Sequence, residues 1–213
     1  MRKTIRTDDP EAVYLKRKDK RLAKVIDMIG DLKIYQETDG YSFLVEGIVG
    51  QMLSNKVAEV LCGRLHVLCE GDIDPEKIKK LSIADLKSIG ISAAKAQYIM
   101  NLTEAVDSDS IDLNTYQSMS DDEALKSLTA VKGIGTWTAK MYLIFVLNRE
   151  DVLPYEDVAF LQSYKWLYKT DDVSRDAVKK KCRKWRPYSS LAARYLYRAL
   201  DEGLTAEEFH LYK

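Results

Sequence analysis

The chain has 213 residues and 24.4 kDa, 46% of them hydrophobic and 31% charged, with a formal net charge of zero. That is enough for one large or two small cores, and it excludes a disordered chain. No apolar run approaches a membrane span and Met1-Arg2-Lys3-Thr4 opens no signal-peptide core, so no membrane association is expected.

Charge is unevenly spread. Residues 1–37 carry ten Lys/Arg against seven Asp/Glu, residues 38–160 eleven against nineteen, and residues 161–213 twelve against seven. Basic ends flank an acidic middle. Cys62, Cys69 and Cys182 form neither a disulfide framework nor a zinc spacing, which points to buried thiols and a reducing, intracellular compartment.

In chain order the periodicity predicts helices almost throughout. Asp9-Pro10 reads as an N-cap followed by a helix-opening proline. Leu22, Val25, Ile26 and Ile29 form an apolar stripe that ends at Gly30. Tyr41 to Leu53 predicts a buried helix with Gln51 and Met52 at its end, and Ser54 a cap for the next. Asp74-Pro75 opens a short helix, and Ser82-x-x-Asp85 a capping-box-like one that closes at Ile89-Gly90-Ile91-Ser92 before a helix over Ala93 to Val106. Ser120-x-x-Glu123 is a capping box. Further helices are expected over Thr136 to Leu147, from about Tyr155 to Tyr168, over Asp171 to Lys184, and over Ser189 to Leu200. The fold class is all-α, of roughly ten helices in two lobes.

Val131-Lys132-Gly133-Ile134-Gly135-Thr136 joins two of these helices. Glycine accepts a positive φ, Ile134 can pin the turn to a core, and the N-terminal amides of the following helix attract a phosphate. A plain helix–helix connection is the competing reading. Ile89-Gly90-Ile91-Ser92 is a weaker second copy. His66 and His210 are too isolated for a metal site or a Ser-His-Asp triad, and no nucleotide-binding glycine loop is present. Asp157, read as lying in the first turn of its helix with Glu156 as rival, is the carboxylate to weigh, because a helix N-terminus favours the ionised form.

Four blocks together resemble a helix-hairpin-helix DNA glycosylase, most similar to the 3-methyladenine DNA glycosylase II branch. They are Ile48 to Ser54; Gly90 to Ala96; Val131 to Ala139 with Pro154 to Asp157 downstream; and Trp185-Arg186-Pro187-Tyr188 with Ala192 to Tyr197. The resemblance covers about residues 20–205. It implies a two-lobed helical fold with the hairpin at a cleft, one lobe formed by 1–37 with 149–213 and the other by 38–148. It implies a monofunctional enzyme that flips alkylated purines from duplex DNA and hydrolyses the N-glycosidic bond in base excision repair. Asp157 is then the catalytic carboxylate. Gly133, Gly135, Thr136 and Thr138 hold DNA, with Gln51 or Met52 filling the gap left by the flipped nucleotide. Trp137, Met141 and Tyr197 line the base pocket, although ordinary core packing is the alternative for each aromatic.

The carbonyls of Thr129, Val131 and Ile134 match positions that bind a monovalent cation, Na+ or K+, in relatives; no other cofactor is implied. Strand-cutting relatives carry a lysine where Trp137 stands, and Lys140 is a poor substitute, so no lyase activity is expected. Cys182 alone cannot hold an iron–sulfur cluster. The expected partner is damaged double-stranded DNA, met by a monomer in the cytoplasm, nucleoid or nucleus. Two other functions remain open on the sequence: a non-catalytic hairpin protein that binds DNA, and a glycosylase for deaminated or oxidised bases.

Overall fold

The computed structural model describes residues 2–211. Among them are twelve α-helices and one two-stranded antiparallel sheet, and no helix is long and apolar enough to cross a membrane. The chain divides into two compact units, Met1–Gln36 with Asn148–Lys213, and Glu37–Leu147.

The first unit opens with β1 (Arg2–Ile5), α1 (Pro10–Lys18), α2 (Lys20–Ile29) and β2 (Leu32–Tyr35). The strands correct the purely helical reading. Leu32 and Ile34 face inward while Lys33 and Tyr35 face out, and Arg2 pairs with Tyr35 and Ile5 with Leu32. A four-residue alternation is too short to stand out as a period, and its partner lies far off in sequence. Gly30 ends α2 with φ +73, a conformation that suits glycine. Asp9 takes the N-cap position of α1 without a side-chain cap bond, because its carboxylate accepts from the Arg6 N–H instead.

The second unit is contiguous: α3 (Gly40–Gly50), α4 (Asn55–Leu68), α5 (Pro75–Ile78), α6 (Ile83–Ser88), α7 (Ala93–Asp107), α8 (Asp121–Ala130) and α9 (Thr136–Phe145). Its centre is α3, which buries Tyr41, Leu44, Val45, Ile48 and Val49 against α4, α7 and α9. The Tyr41 hydroxyl meets the Thr103 hydroxyl at 2.7 Å, which in turn donates to the Ile99 carbonyl at 2.8 Å, so these buried polar groups are satisfied. Both capping boxes form, Ser82 with Asp85 and Ser120 with Glu123. Cys69 is buried, but Cys62 is only partly so.

The chain then returns to the first unit with α10 (Val158–Tyr168), α11 (Arg175–Cys182), a 3-10 turn over Arg183–Trp185, and α12 (Ser189–Asp201). The helix expected from Asp171 starts later because Ser174 caps it. Phe160, Tyr164, Leu167, Trp185, Tyr195 and Leu196 complete the core begun by Leu15, Leu22 and Ile26. At its heart lies the buried carboxylate of Asp19. It caps α2 through the Arg21 and Leu22 N–H groups and accepts from the Trp185 indole at 2.9 Å, the Tyr168 hydroxyl and the Lys184 ammonium at 3.0 Å. Burial alone raises its pKa, but these donors outweigh it and hold the carboxyl below its ordinary value.

Candidate active site

Asp157 is set by a local turn. Its N–H closes back on the Pro154 carbonyl at 3.0 Å, which delivers the residue to the N-cap of α10 rather than into the helix's first turn, as read from sequence. One carboxylate oxygen accepts the Phe160 N–H at 2.7 Å. The side chain is 8% exposed. Its other partner comes from α12: Tyr197, whose hydroxyl donates to the Asp157 carboxylate. Burial, then the charge and hydrogen bond of Asp157, push the Tyr197 phenol far up. The rival carboxylate, Glu156, pairs instead with the Tyr155 phenol.

Two further contacts hold this arrangement. The Ser163 hydroxyl donates to the Leu196 carbonyl at 3.0 Å, stitching α10 to α12 one residue before Tyr197. Arg194, one turn earlier on α12, is buried and reaches Asn148 Oδ1 at 3.5 Å. Burial pulls its guanidinium down to about 10, and the neighbouring Tyr197 phenol opposes that shift. Sequence reading passed over Arg194; the signal was an arginine inside the apolar stretch Leu191 to Leu196. Tyr197, expected in the base pocket, also bonds Asp157, a contact between residues forty apart that nothing local in the sequence signals.

In the second unit the hairpin joins α8 to α9. Gly133 takes φ +113, and a Cβ there would fall 2.4 Å from Tyr98 Cβ, so conformation and space both demand glycine. Gly135 differs. Its φ of −89 is open to any residue, and nothing lies within 4 Å of a Cβ added to it. Ile134 is buried and its N–H closes the turn on the Val131 carbonyl at 3.0 Å. The Gln51 amide donates to the Gly133 carbonyl at 2.8 Å and Asn101 to the Lys132 carbonyl at 3.2 Å. Among the described residues neither the Gly133 nor the Gly135 N–H has an acceptor, and α9 has no side-chain cap. The turn therefore holds its carbonyls and presents its amides.

The α6–α7 connection is built alike but finished differently. Gly90 has φ +102, Ile91 is buried, and Ser92 caps α7 with its own hydroxyl on the Lys95 N–H. Where the second copy seals its helix, the hairpin leaves it open.

Other expected site residues fall as follows. Met52 is fully exposed at φ +57, whereas Gln51 is tied to the hairpin. Just before them, the Lys95 ammonium holds the Val49 carbonyl at 2.8 Å. Thr136 opens α9. Thr138 is 2% exposed and its methyl faces Gly47. Trp137, 36% exposed, and buried Met141 lie one turn apart on α9. Lys140 is 6% exposed. Thr129, Val131 and Ile134 bring three carbonyls to the turn, that of Val131 already accepting one N–H. His66 is held by Glu46 at 2.8 Å and by the Gly71 carbonyl at 2.6 Å.

Residues 45–187 match the HhH-GPD superfamily of base excision DNA repair proteins. A DNA-3-methyladenine glycosylase of Schizosaccharomyces pombe is 28% identical over 183 residues, 84% of this chain and 80% of that protein. The crystal structure of a DNA-3-methyladenine glycosidase from Bacillus halodurans superposes with a TM-score of 0.86 at 32% identity, covering 98% of this chain and 97% of that one. A Schizosaccharomyces pombe 3-methyladenine DNA glycosylase in complex with abasic DNA matches with a TM-score of 0.82 at 25% identity, over 95% and 98% of the two chains.

Proposed function

This chain belongs to the HhH-GPD superfamily of base excision DNA repair proteins, and from that premise we propose that it excises alkylated purines from duplex DNA with Asp157 as its catalytic carboxylate. It is a DNA glycosylase of the DNA-3-methyladenine type. The observation that carries the assignment of Asp157 is its pair of donors. The Phe160 N–H and the Tyr197 hydroxyl hold the carboxylate in one orientation at the N-terminus of α10.

As the C1′–N bond stretches, positive charge builds on the sugar, and an ionised carboxylate beside it lowers the barrier. A 3-alkylated adenine leaves easily. Its ring already carries positive charge, so the bonding electron pair neutralises the departing base and no acid is needed. Water then bonds to C1′, and its proton passes to Asp157 or to solvent, leaving a free base and an abasic sugar.

The open amides of Gly133, Gly135 and Thr136 suit a DNA phosphate, and fully exposed Met52 suits the space vacated by the flipped nucleotide. Trp137 and Met141 supply an aromatic and a polarizable surface for a cationic base. The carbonyls of Thr129, Val131 and Ile134, neutral oxygen donors, fit a monovalent cation, which would add positive charge beside the phosphate. No lysine stands at Trp137, so the reading is of base removal without strand cleavage, by a monomer with no redox cofactor. Base release from methylated duplex DNA, followed by a panel of duplexes bearing deaminated and oxidised bases, tests it. Release of alkylated purines is expected; release confined to other lesions would overturn the substrate class, and binding without any release would favour a non-catalytic protein.

A further inference from the structure

The first unit carries a row of cations that neither the fold nor the hairpin accounts for. Arg175, Lys179, Lys180, Lys181 and Arg183 are exposed, and among the described residues none of them makes an ion pair. Four other surface cations of the same unit are matched, Lys16 with Asp27, Lys165 with Asp171, Lys169 with Glu208 and Arg198 with Glu202. Unmatched ones among the described residues, such as Arg17, Lys20 and Lys33, lie in the N-terminal segment, apart in sequence from the run Arg175 to Arg183. Like charges one turn apart, such as Arg175 and Lys179, cost a few tenths of a kcal/mol each. Lysines in the last turn of α11 complement its dipole, but Arg175 at its first turn does not. Folding alone does not explain the row.

Its layout follows α10. Arg175 and Lys179 sit over the Tyr155 ring, 5.0 and 4.8 Å from its centroid, and Tyr155 precedes Asp157 by two residues. At the far end of α10, Lys181 and Lys184 sit over the Tyr168 ring, at 5.0 and 5.2 Å. Lys180, Lys181, Arg183 and Lys184 also line a groove of about 660 Å³ floored by Tyr164 and Tyr168, with Asp172 the carboxylate on its wall. The row occupies α11 and the turn after it, and Arg175 to Arg183 is eight residue steps, about 12 Å at 1.5 Å per residue. That is the axial length of about three to four base pairs.

We propose that Arg175, Lys179, Lys180, Lys181 and Arg183 form a phosphate-contacting track for duplex DNA flanking the lesion, distinct from the hairpin amides. This rests on the DNA glycosylase reading above. Cation–π seats on Tyr155 and Tyr168 limit how far the long side chains wander, so less freedom is lost when they meet phosphates. The contacts are to the backbone and carry no sequence preference.

The test is the salt dependence of binding to an undamaged duplex, for the wild type and for Lys179→Gln/Lys180→Gln/Lys181→Gln/Arg183→Gln. A control, Lys165→Gln/Lys169→Gln, removes cations from the same unit that are already ion-paired. Each phosphate contact contributes about 0.9 to the slope of log K against log salt. The track variant is expected to lose roughly 2 to 4 from that slope and at least about tenfold in affinity, while the control keeps the wild-type slope. Equal slopes in wild type and track variant, with the wild type still releasing bases, would overturn the track and leave the glycosylase reading standing. A wild type that binds no duplex and releases no base would overturn both. Circular dichroism confirms that the variants, all altered at exposed positions, remain folded.

Discussion

Asp157 holds a structural and a chemical role in one side chain, and two substitutions separate them. Asp157→Asn keeps an oxygen for the Phe160 N–H, 2.7 Å away in the native cap, and a polar neighbour for Tyr197, but removes the charge. A unit charge about 4 Å from a developing cation, at an effective dielectric constant near 20, contributes about 4 kcal/mol. At 1.36 kcal/mol per decade that is about a thousandfold in rate. Asp157→Ala removes the charge and the cap together. The cap contributes about 1 kcal/mol, and taking the carboxylate from the buried Tyr197 hydroxyl costs about 1–3 kcal/mol more. At about 2–4 °C per kcal/mol for a chain of this size, alanine should lower Tm by roughly 4–16 °C. Single-turnover base release from methylated duplex DNA, with thermal unfolding in parallel, reads both quantities. Both variants should be catalytically crippled and only alanine clearly destabilised. An asparagine variant with the wild-type rate would remove Asp157 from the chemistry. One as unstable as alanine would show that the cap geometry is misassigned.

Other outcomes follow from the same contacts. Tyr197→Phe deletes one donor to Asp157; base release should slow about tenfold, for a charge-assisted bond of about 1.5 kcal/mol, with abasic-duplex affinity unchanged. A rate unchanged from the wild type would contradict the bond's role in orienting Asp157. Asp19→Asn should cost about 1.5–3 kcal/mol at neutral pH. The native carboxyl sits below its ordinary value of 3.8, so its stabilisation is present above that pH and lost below it, and the gap in Tm between wild type and variant should close in acid. Met52→Ala should slow release from a paired lesion several-fold and from a lesion in an unpaired bubble much less, since the bubble needs no wedge. Gly135→Ser should let the new hydroxyl cap α9 as Ser92 caps α7; a few tenths of a kcal/mol of added stability should accompany roughly tenfold weaker binding of abasic duplex. Unchanged affinity would mean that the hairpin amides do not hold phosphate.

Features written in neighbouring residues are legible in the sequence. Ser82 with Asp85 and Ser120 with Glu123 announce their helices because a cap is a contact three residues long. Gly30 marks the end of α2 for the same reason. Contacts made across the chain were not legible. Nothing near Leu32 to Tyr35 says that its partner is Arg2 to Ile5, and nothing near Tyr197 says that its hydroxyl meets a carboxylate forty residues earlier. Thr138 shows a different gap. The resemblance named it as a DNA contact, and that its methyl packs toward Gly47 on α3 is a long-range fact that the neighbouring residues do not carry. The two hairpin glycines, alike in sequence, also differ in the structure: Gly133 is required by its φ and by Tyr98, whereas the backbone and the space at Gly135 would accept any residue.

The buried carboxylate of Asp19 has a consequence for how the chain is made. Its partners Tyr168, Lys184 and Trp185 lie about 150 residues or more downstream. During synthesis, β1, α1, α2 and β2 emerge first yet cannot bury Leu15, Leu22 or Ile26 until the last helices arrive. The contiguous unit of residues 37–147 carries its own core and can close meanwhile. Until the ribosome has released Trp185, Asp19 is an ordinary solvated acid at the start of an unfinished helix pair. The segment from β1 to β2 is thus completed only after the later-made residues 148–211 join it, and its apolar stripe waits for that partner while the intervening unit is made.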